Sequence, residues 1–381
     1  MLANKFILYP NKEQKEKLEF ALDTCRKAYN MMLGELNEQI VIDRNMIQAM
    51  LPDIKICEPR FKEVYSKTLQ YECYRLFSNL SALKVLKGNH KKVGRLRFKG
   101  KGWFKTINYN QSGFSLENNK LHLSKIGDIK IKVHREVNGN IKQIQIKKEI
   151  DRWCAIIITD EKKQITCGNK IIGIDLGINN YIVDSNGNKI ENPKILEKNL
   201  KKLKHLNKEL SRKKKGSNNR KKARIRLQKL HLKISNQRDD FLHKLTTKLV
   251  KDCKIIVMED LNIKQMSQQR YFNARNMMDA SWSKFAQLLD YKAESAGCQI
   301  VRVNPRNTSK TCSQCGNIQD MPLYKRTYEC ANCGFVIDRD YNSAINILNS
   351  GQEMSCVEKS TNTQFEQVGS MKQEALTSTL C

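Results

Sequence analysis

The chain has 381 residues, 40% of them hydrophobic, which is enough to bury one large core or two to three smaller ones. Its 69 Lys and Arg outnumber 39 Asp and Glu, a formal net charge of +30. Such an excess repels itself in a compact fold, and nucleic acid is its usual counterpart. A membrane surface would need a basic amphipathic helix or a span of about 18 apolar residues, and no run approaches that length. The first ten residues are too short and interrupted for a signal peptide, and the chain reads as cytoplasmic. Thirteen cysteines at this length, an odd number, argue against a disulfide scaffold; those outside the motif below read as reduced core residues.

In chain order, residues 2–9 read as a short strand closed by Pro10, with Asn11 capping a helix. Leu18, Ala21, Leu22, Cys25, Ala28, Tyr29 and Met32 keep an apolar stripe at helical spacing, and helical patterning returns over 61–86. From Gly94 the period becomes two. Segments 95–99, 106–109, 129–133, 141–146 and 153–159 read as strands of a small antiparallel barrel or sandwich. Its polar face interleaves Arg97, Lys99 and Lys105 with Phe98, Trp103, Phe104 and Tyr109, which suits stacking on bases and tracking a backbone.

A new unit begins at Lys170, with an apolar strand ending in Asp175, a second strand over 181–184 and a hairpin turn at Asn186-Gly187. Two leucine-patterned helices then flank the loop around 213–220. Residues 201–233 hold fifteen Lys or Arg against one acid, Glu209. Leucines at helical spacing run through this charge, so the segment reads as a folded hairpin that clamps a phosphate backbone through Arg212, Lys213, Lys214, Lys215, Arg220, Lys221, Lys222, Arg224 and Arg226. Residues 254–259 form another buried strand ending in an acid. A helix over 281–296 stopped by Gly297, a strand over 299–303 and a helix from Asp340 to Leu348 complete the pattern. The polar stretch from 350 onward reads as a disordered tail.

Two groups of residues carry chemistry. Cys312-x2-Cys315 and Cys330-x2-Cys333, fourteen residues apart, place four thiolates on two tight knuckles, each followed by glycine. That arrangement predicts one structural Zn²⁺ with no open position. The second group is Asp175, Glu259 and an acid of Asp338-Arg-Asp340, each at the end of an element. Buried strands rarely tolerate an unpaired carboxylate, whereas convergent acids holding two Mg²⁺ ions activate water and stabilise a leaving oxygen in phosphodiester cleavage. From the residues alone, Asp338 and Asp340 are each equally readable as a helix cap.

Gly173-Ile-Asp-Leu-Gly-Ile-Asn, Met258-Glu-Asp-Leu-Asn and Asp338-Arg-Asp-Tyr-Asn-Ser-Ala-Ile-Asn-Ile resemble the three RuvC blocks of the TnpB family. TnpB proteins are encoded by insertion sequences, often labelled transposases, and similar to miniature type V CRISPR effectors. Asn304 to Gly316 resembles the family's entry into its zinc ribbon, while Leu8 to Gln14 and Cys25 to Asn30 resemble its N-terminal signature. The resemblance, spanning about residues 5–348, implies a multidomain α+β protein. It would comprise a split wedge-like β-barrel domain (1–10 and 91–166), a helical recognition lobe (11–90) and an RNase H-like (RuvC) nuclease domain (167–305 and 338–349) with a basic hairpin at 195–250. A zinc ribbon (306–337) is inserted before the last acid, and a tail follows over 350–381. The resemblance selects Asp340 over Asp338, giving Asp175, Glu259 and Asp340 as catalytic Mg²⁺ ligands. It implies an RNA-guided, Mg²⁺-dependent DNA endonuclease whose partners are a guide RNA from the transposon end and target double-stranded DNA beside a short motif. It also implies a prokaryotic protein, monomeric with its RNA and nucleoid-associated when on DNA. The rival readings are a guided DNA-binding repressor without cleavage, a strand-transferring transposase, whose acids commonly run Asp, Asp, Glu, and a plain zinc-ribbon nucleic-acid-binding module.

Overall fold

The structure, a computed structural model, describes residues 1–38, 43–161, 166–262, 266, 274–322 and 324–352. The chain divides into two compact units, Met1–Lys163 and Gln164–Cys381.

In the first unit, β1 (Leu2–Tyr9) buries alternate side chains, Asn4, Phe6 and Leu8, as period-two patterning requires. Asn11 and Gln14 then exchange side-chain-to-backbone hydrogen bonds (2.8 and 3.0 Å), a capping box that starts α1 (Lys12–Glu38). Three more helices follow: α2 (Arg44–Ala49), α3 (Leu51–Cys57) and α4 (Ser66–Gly88). The strands are β2 (Thr106–Asn110), β3 (Phe114–Glu117), β4 (Lys120–Leu123), β5 (Gly127–Lys132), β6 (Ile141–Glu149) and β7 (Arg152–Thr159). They pair antiparallel in the order β2-β6-β7-β1-β5-β4-β3. The two edge strands, β2 and β3, are joined by only Gln111–Gly113. That link spans at most about 14 Å, whereas the edges of a flat seven-stranded sheet would lie about 29 Å apart. The sheet therefore curls round on itself.

Two sequence readings need correction here. Residues 95–99 are not a strand: the Lys99 N–H donates to Asn30 Oδ1 (2.8 Å) and its carbonyl accepts from Asn30 Nδ2 and Arg26 Nη1, so its backbone pairs with helix side chains instead of a ladder. Phe104 and Tyr109 do not belong to an exposed stacking face. Both are buried, Phe104 tilted against Tyr29 and Tyr109 stacked on Tyr65, while Phe98 and Trp103 remain exposed.

The second unit holds β8 (Lys170–Leu176), β9 (Asn180–Asp184), β10 (Lys189–Glu191), α5 (Ile195–Ser211), α6 (Asn218–Asp252), β11 (Cys253–Glu259), α7 (Ala274–Ala280), α8 (Trp282–Ala296) and β12 (Gln299–Val303). Its five-stranded sheet runs β10-β9-β8-β11-β12, antiparallel through β8 and parallel across β8, β11 and β12. A small hairpin, β13 (Thr327–Glu329) with β14 (Val336–Asp338), precedes α9, residues 339–352. Two glycines let α9 lie close on the sheet. A Cβ at Gly173 would stand 2.3 Å from the Ala344 carbonyl, and one at Gly351 would stand 2.5 Å from Val257. This close fit carries the helix through 350–352, three residues into the expected tail; the rest of that tail, and Cys356 and Cys381 within it, lie outside the described residues. The core of this unit gathers Ile172, Ile174, Ile256, Met258, Leu242, Phe285 and Leu289. α5 and α6 hold a separate small core of Leu203, Leu227, Leu230 and Ile234. Among the described residues no helix is long and apolar enough to cross a membrane.

Candidate active site and cysteine cluster

Parallel strands present their carboxyl ends side by side, and sheets of this type bind ligands there. Asp175 and Glu259 lie one residue beyond the Ile174–Met258 pair of β8 and β11, so both sit at that edge. The close passage of α9 over Gly173 brings Asp340, in its first turn, to the same place. All three acids line one cleft of about 850 Å³, together with Asn179, Thr308, Arg326, Arg339 and Ser343. Burial and the Glu259 and Asp340 carboxylates push the Asp175 carboxyl up to about 8, with Arg339 opposing. Burial also raises Glu259, opposed by a 2.6 Å hydrogen bond from Thr308 Oγ1 to its Oε1. Arg339 Nη2 and Nε donate to Asp340 Oδ1 (3.0 and 3.2 Å), and Arg326 Nη1 lies 3.5 Å from Oδ2.

The structure separates the two acids that residue types alone could not. Asp338 Oδ1 accepts the N–H groups of Asp340 (3.0 Å) and Tyr341 (3.1 Å), the role of a helix cap, and its Oδ2 takes Lys189 Nζ at 2.7 Å. Asp340 instead faces the cleft.

The segment leading to the cysteines is pinned to α9 by two buried asparagines. Asn342 Nδ2 and Asn346 Nδ2 both donate to the Thr311 carbonyl (2.7 Å each), Asn346 also donates to the Thr308 carbonyl (2.9 Å), and Ser313 N–H donates to Asn342 Oδ1 (3.0 Å). None of these was among the predicted site residues; their signal is the Asn342 and Asn346 spacing on one face of α9. The sulfurs of Cys312, Cys315, Cys330 and Cys333 all lie within 4.8 Å of one another. Gly316 and Gly334, at φ +75° and +70°, turn each knuckle, with Gly316 N–H on the Cys312 carbonyl and Gly334 N–H on that of Cys330.

The predicted nucleic-acid residues fall into two sets. Lys214, Lys215, Lys221, Lys222 and Arg224 are exposed along the α5–α6 hairpin, as are Arg212, Arg97 and Lys105. Lys213 is half-buried. Arg226 pairs with Glu209 (3.1 Å). Two others are engaged inward: Arg220 Nη1 donates to the Leu210 and Lys213 carbonyls (2.8 and 2.9 Å), closing the interhelical loop, and the Lys99 ammonium lies over the Tyr29 ring.

A curled antiparallel sheet with helices, and a mixed sheet with three acids at one edge, define a multidomain α+β protein with a candidate active cleft. Residues 153–270 match a family profile described as "Probable transposase", residues 282–347 one described as "Cas12f1-like, TNB domain", and residues 1–41 a helix-turn-helix profile, although 12–38 form a single helix. A Streptomyces pristinaespiralis protein named "Putative RNA-guided DNA endonuclease" is 31% identical over 366 residues, covering 92% of this chain and 89% of that one. A TnpB-like protein of Methanocaldococcus jannaschii is 31% identical over 235 residues, covering 57% of this chain and 81% of its own length. Among solved structures, the Cas12f1 chain of a complex with single-guide RNA and target DNA shares the fold, with a TM-score of 0.55 at 17% identity, covering 89% and 83% of the two chains. The chain belongs to the TnpB family.

Proposed function

We propose that the chain is an RNA-guided DNA endonuclease of an insertion sequence, hydrolysing phosphodiester bonds in guide-matched double-stranded DNA beside a short motif. The observation that carries this reading is the convergence of Asp175, Glu259 and Asp340, from two strand ends and a helix, on one cleft in a strongly basic chain. The relative named for RNA-guided cleavage of DNA supports it along nearly the whole chain. The mixed sheet with acids on its two central strands and on the helix packed across them supports an RNase H-like (RuvC) domain at 167–305 and 338–349.

The three carboxylates fit divalent cations, because their oxygen-only donors are hard ligands whose mutual repulsion at one cleft an ion would relieve. Asp175, Glu259 and Asp340 would hold the ions, and Mg²⁺ there would supply a lowered pKa for a bound water and stabilisation of charge on the leaving oxygen. The chain's own residues hold the ligands in place: Thr308 orients Glu259, and Arg339 and Arg326 orient Asp340. The cysteine cluster fits one structural Zn²⁺. Its nearest sulfur contacts, 3.5 and 3.8 Å, lie close to the roughly 3.8 Å edge of a tetrahedron with metal–sulfur bonds of about 2.3 Å. Residues 306–337 then form a zinc ribbon whose four thiolates leave no open position. The remaining chain divides into a wedge-like β domain (1–10 and 91–166) and a helical recognition lobe (11–90). The α5–α6 hairpin, within 195–250, grips nucleic acid through its exposed cations.

The test is cleavage of a guide-matched plasmid library with randomised flanking sequence, by protein carrying its copurified RNA. Wild type should cut in Mg²⁺ and not in EDTA, and Asp175→Ala should bind the target without cutting it. A wild-type complex that binds its target but leaves it intact points to a repressor, and joined strands point to a transposase; either result overturns the reading.

A further inference from the structure

Glu259 ends β11, where a long side chain has several rotamers open to it, yet one oxygen is already held. Thr308 Oγ1 donates to Glu259 Oε1 at 2.6 Å, while a second acceptor for that hydroxyl, the Pro305 carbonyl, lies farther off at 3.4 Å. The single hydroxyl proton goes to the nearer acceptor, the Glu259 carboxyl oxygen. Glu259 lines the cleft, so this bond fixes one of the two oxygens of a cleft carboxyl. Thr308 is itself buried and does not depend on its own loop for its position. Its carbonyl is taken by Asn346, and the carbonyl three residues on by both Asn342 and Asn346. These asparagines stand two and six residues after Asp340 on the same helix. A continuous chain of hydrogen bonds therefore runs from the helix that presents Asp340, through the segment entering the cysteine cluster, to the Glu259 carboxylate.

We infer that Thr308 is a positioning residue for Glu259, its hydroxyl fixing that carboxylate so that Glu259 and the α9-borne Asp340 address the same cation. The inference rests on the cleavage reading for its purpose but not for its geometry. Partners of this kind outside the ligand set set the orientation and basicity of the ligands, and their loss weakens metal binding by roughly 10- to 100-fold.

Thr308→Val keeps the shape of the side chain and removes the donor, whereas Thr308→Ser keeps the donor. Mn²⁺ is titrated calorimetrically into the RNA-loaded full-length protein without target DNA, with Asp175→Ala defining loss of the site. Thr308→Val should bind Mn²⁺ about tenfold more weakly than wild type, and Thr308→Ser within about twofold of it. The Mg²⁺ concentration for half-maximal cleavage should rise in parallel in Thr308→Val, with target binding in EDTA unchanged. The inference is overturned if Thr308→Val titrates like wild type, if Thr308→Ser loses as much as Thr308→Val, or if wild type shows no Asp175-dependent Mn²⁺ binding. Thr308→Ala, which also removes the donor, covers the case in which valine prevents folding and should weaken Mn²⁺ binding to the same degree. Wild type whose Mn²⁺ binding depends on the Thr308 hydroxyl but which cuts no DNA would remove the nuclease reading and leave this coupling standing.

Discussion

Glu72 on α4 is fully buried, and its carboxyl oxygens make no hydrogen bond of good geometry. Its partner is Arg75, whose Nη1 lies 3.1 Å away while its Nη2 turns to Thr106 and its guanidinium covers Phe104. Burial wins over that single ion pair and pushes the Glu72 carboxyl up to about 8, well above its ordinary 4.5. The folded protein thus holds this proton more tightly than the unfolded chain. The associated stability is fully present below about pH 4.5 and is lost as pH rises through about 8. Thermal melts between pH 5.5 and 8.5 should show wild type losing roughly 2–4 kcal/mol relative to Glu72→Gln across that range. Parallel curves for the two proteins would show that Glu72 is ionised throughout. A residue of this kind was not legible in the sequence, where Glu72 looks like any other helical acid. Asp338 and Asp340 were unreadable for a similar reason. Only the backbone N–H groups that Asp338 accepts distinguish a cap from a cleft acid two residues away.

At the scale of elements, patterning exposed most of both sheets, because strands with one buried face alternate in sequence. It failed where backbone pairing is settled elsewhere. The β3–β4 hairpin turns through Asn118 and Asn119, both in the left-handed region at φ 46° and 60°. The Asn-Gly signal that marks such a turn is missing. The false strand at 95–99 fails because Asn30 and Arg26 occupy the backbone of Lys99. The acids ending β8 and β11 were legible as charges that buried strands would otherwise exclude, but the supports supplied by Thr308, Asn342 and Asn346 join residues 29 to 49 apart. What places Asp340 is a close approach, and it is testable. Gly173→Ala would drive a methyl into the Ala344 carbonyl and the Leu348 backbone, lifting α9 from the sheet. Denaturant unfolding should show a loss of at least about 2 kcal/mol, and guided cleavage should fall even at temperatures where the variant stays folded. Wild-type cleavage by a folded Gly173→Ala protein would show that α9 does not set the acid's position.

Across the whole molecule the dominant quantity is the net charge of +30. In the RNA-free protein these charges repel one another, and salt screens that repulsion over a Debye length of about 10 Å at 0.1 M. In a complex with RNA the same charges are neutralised by phosphates, and salt competes with that contact by reversing counterion release. The two states should respond to salt with opposite signs. Raising salt from 0.1 to 0.5 M should raise the melting temperature of the RNA-free protein and lower the affinity of the complex steeply. The hairpin gives this contrast a local handle, since Lys214, Lys215, Lys221 and Lys222 are exposed, whereas Arg220 is spent on the Leu210 and Lys213 carbonyls. Replacing those four lysines with alanine should flatten the slope of log affinity against log salt by up to about 3, at about 0.7–0.9 per phosphate contact removed. Arg220→Ala should instead lower the stability of the hairpin and change the slope little. Equal slopes for wild type and the four-lysine variant would move the phosphate contacts off the hairpin, and a melting temperature that falls with salt in the RNA-free protein would show its charges already paired within the fold.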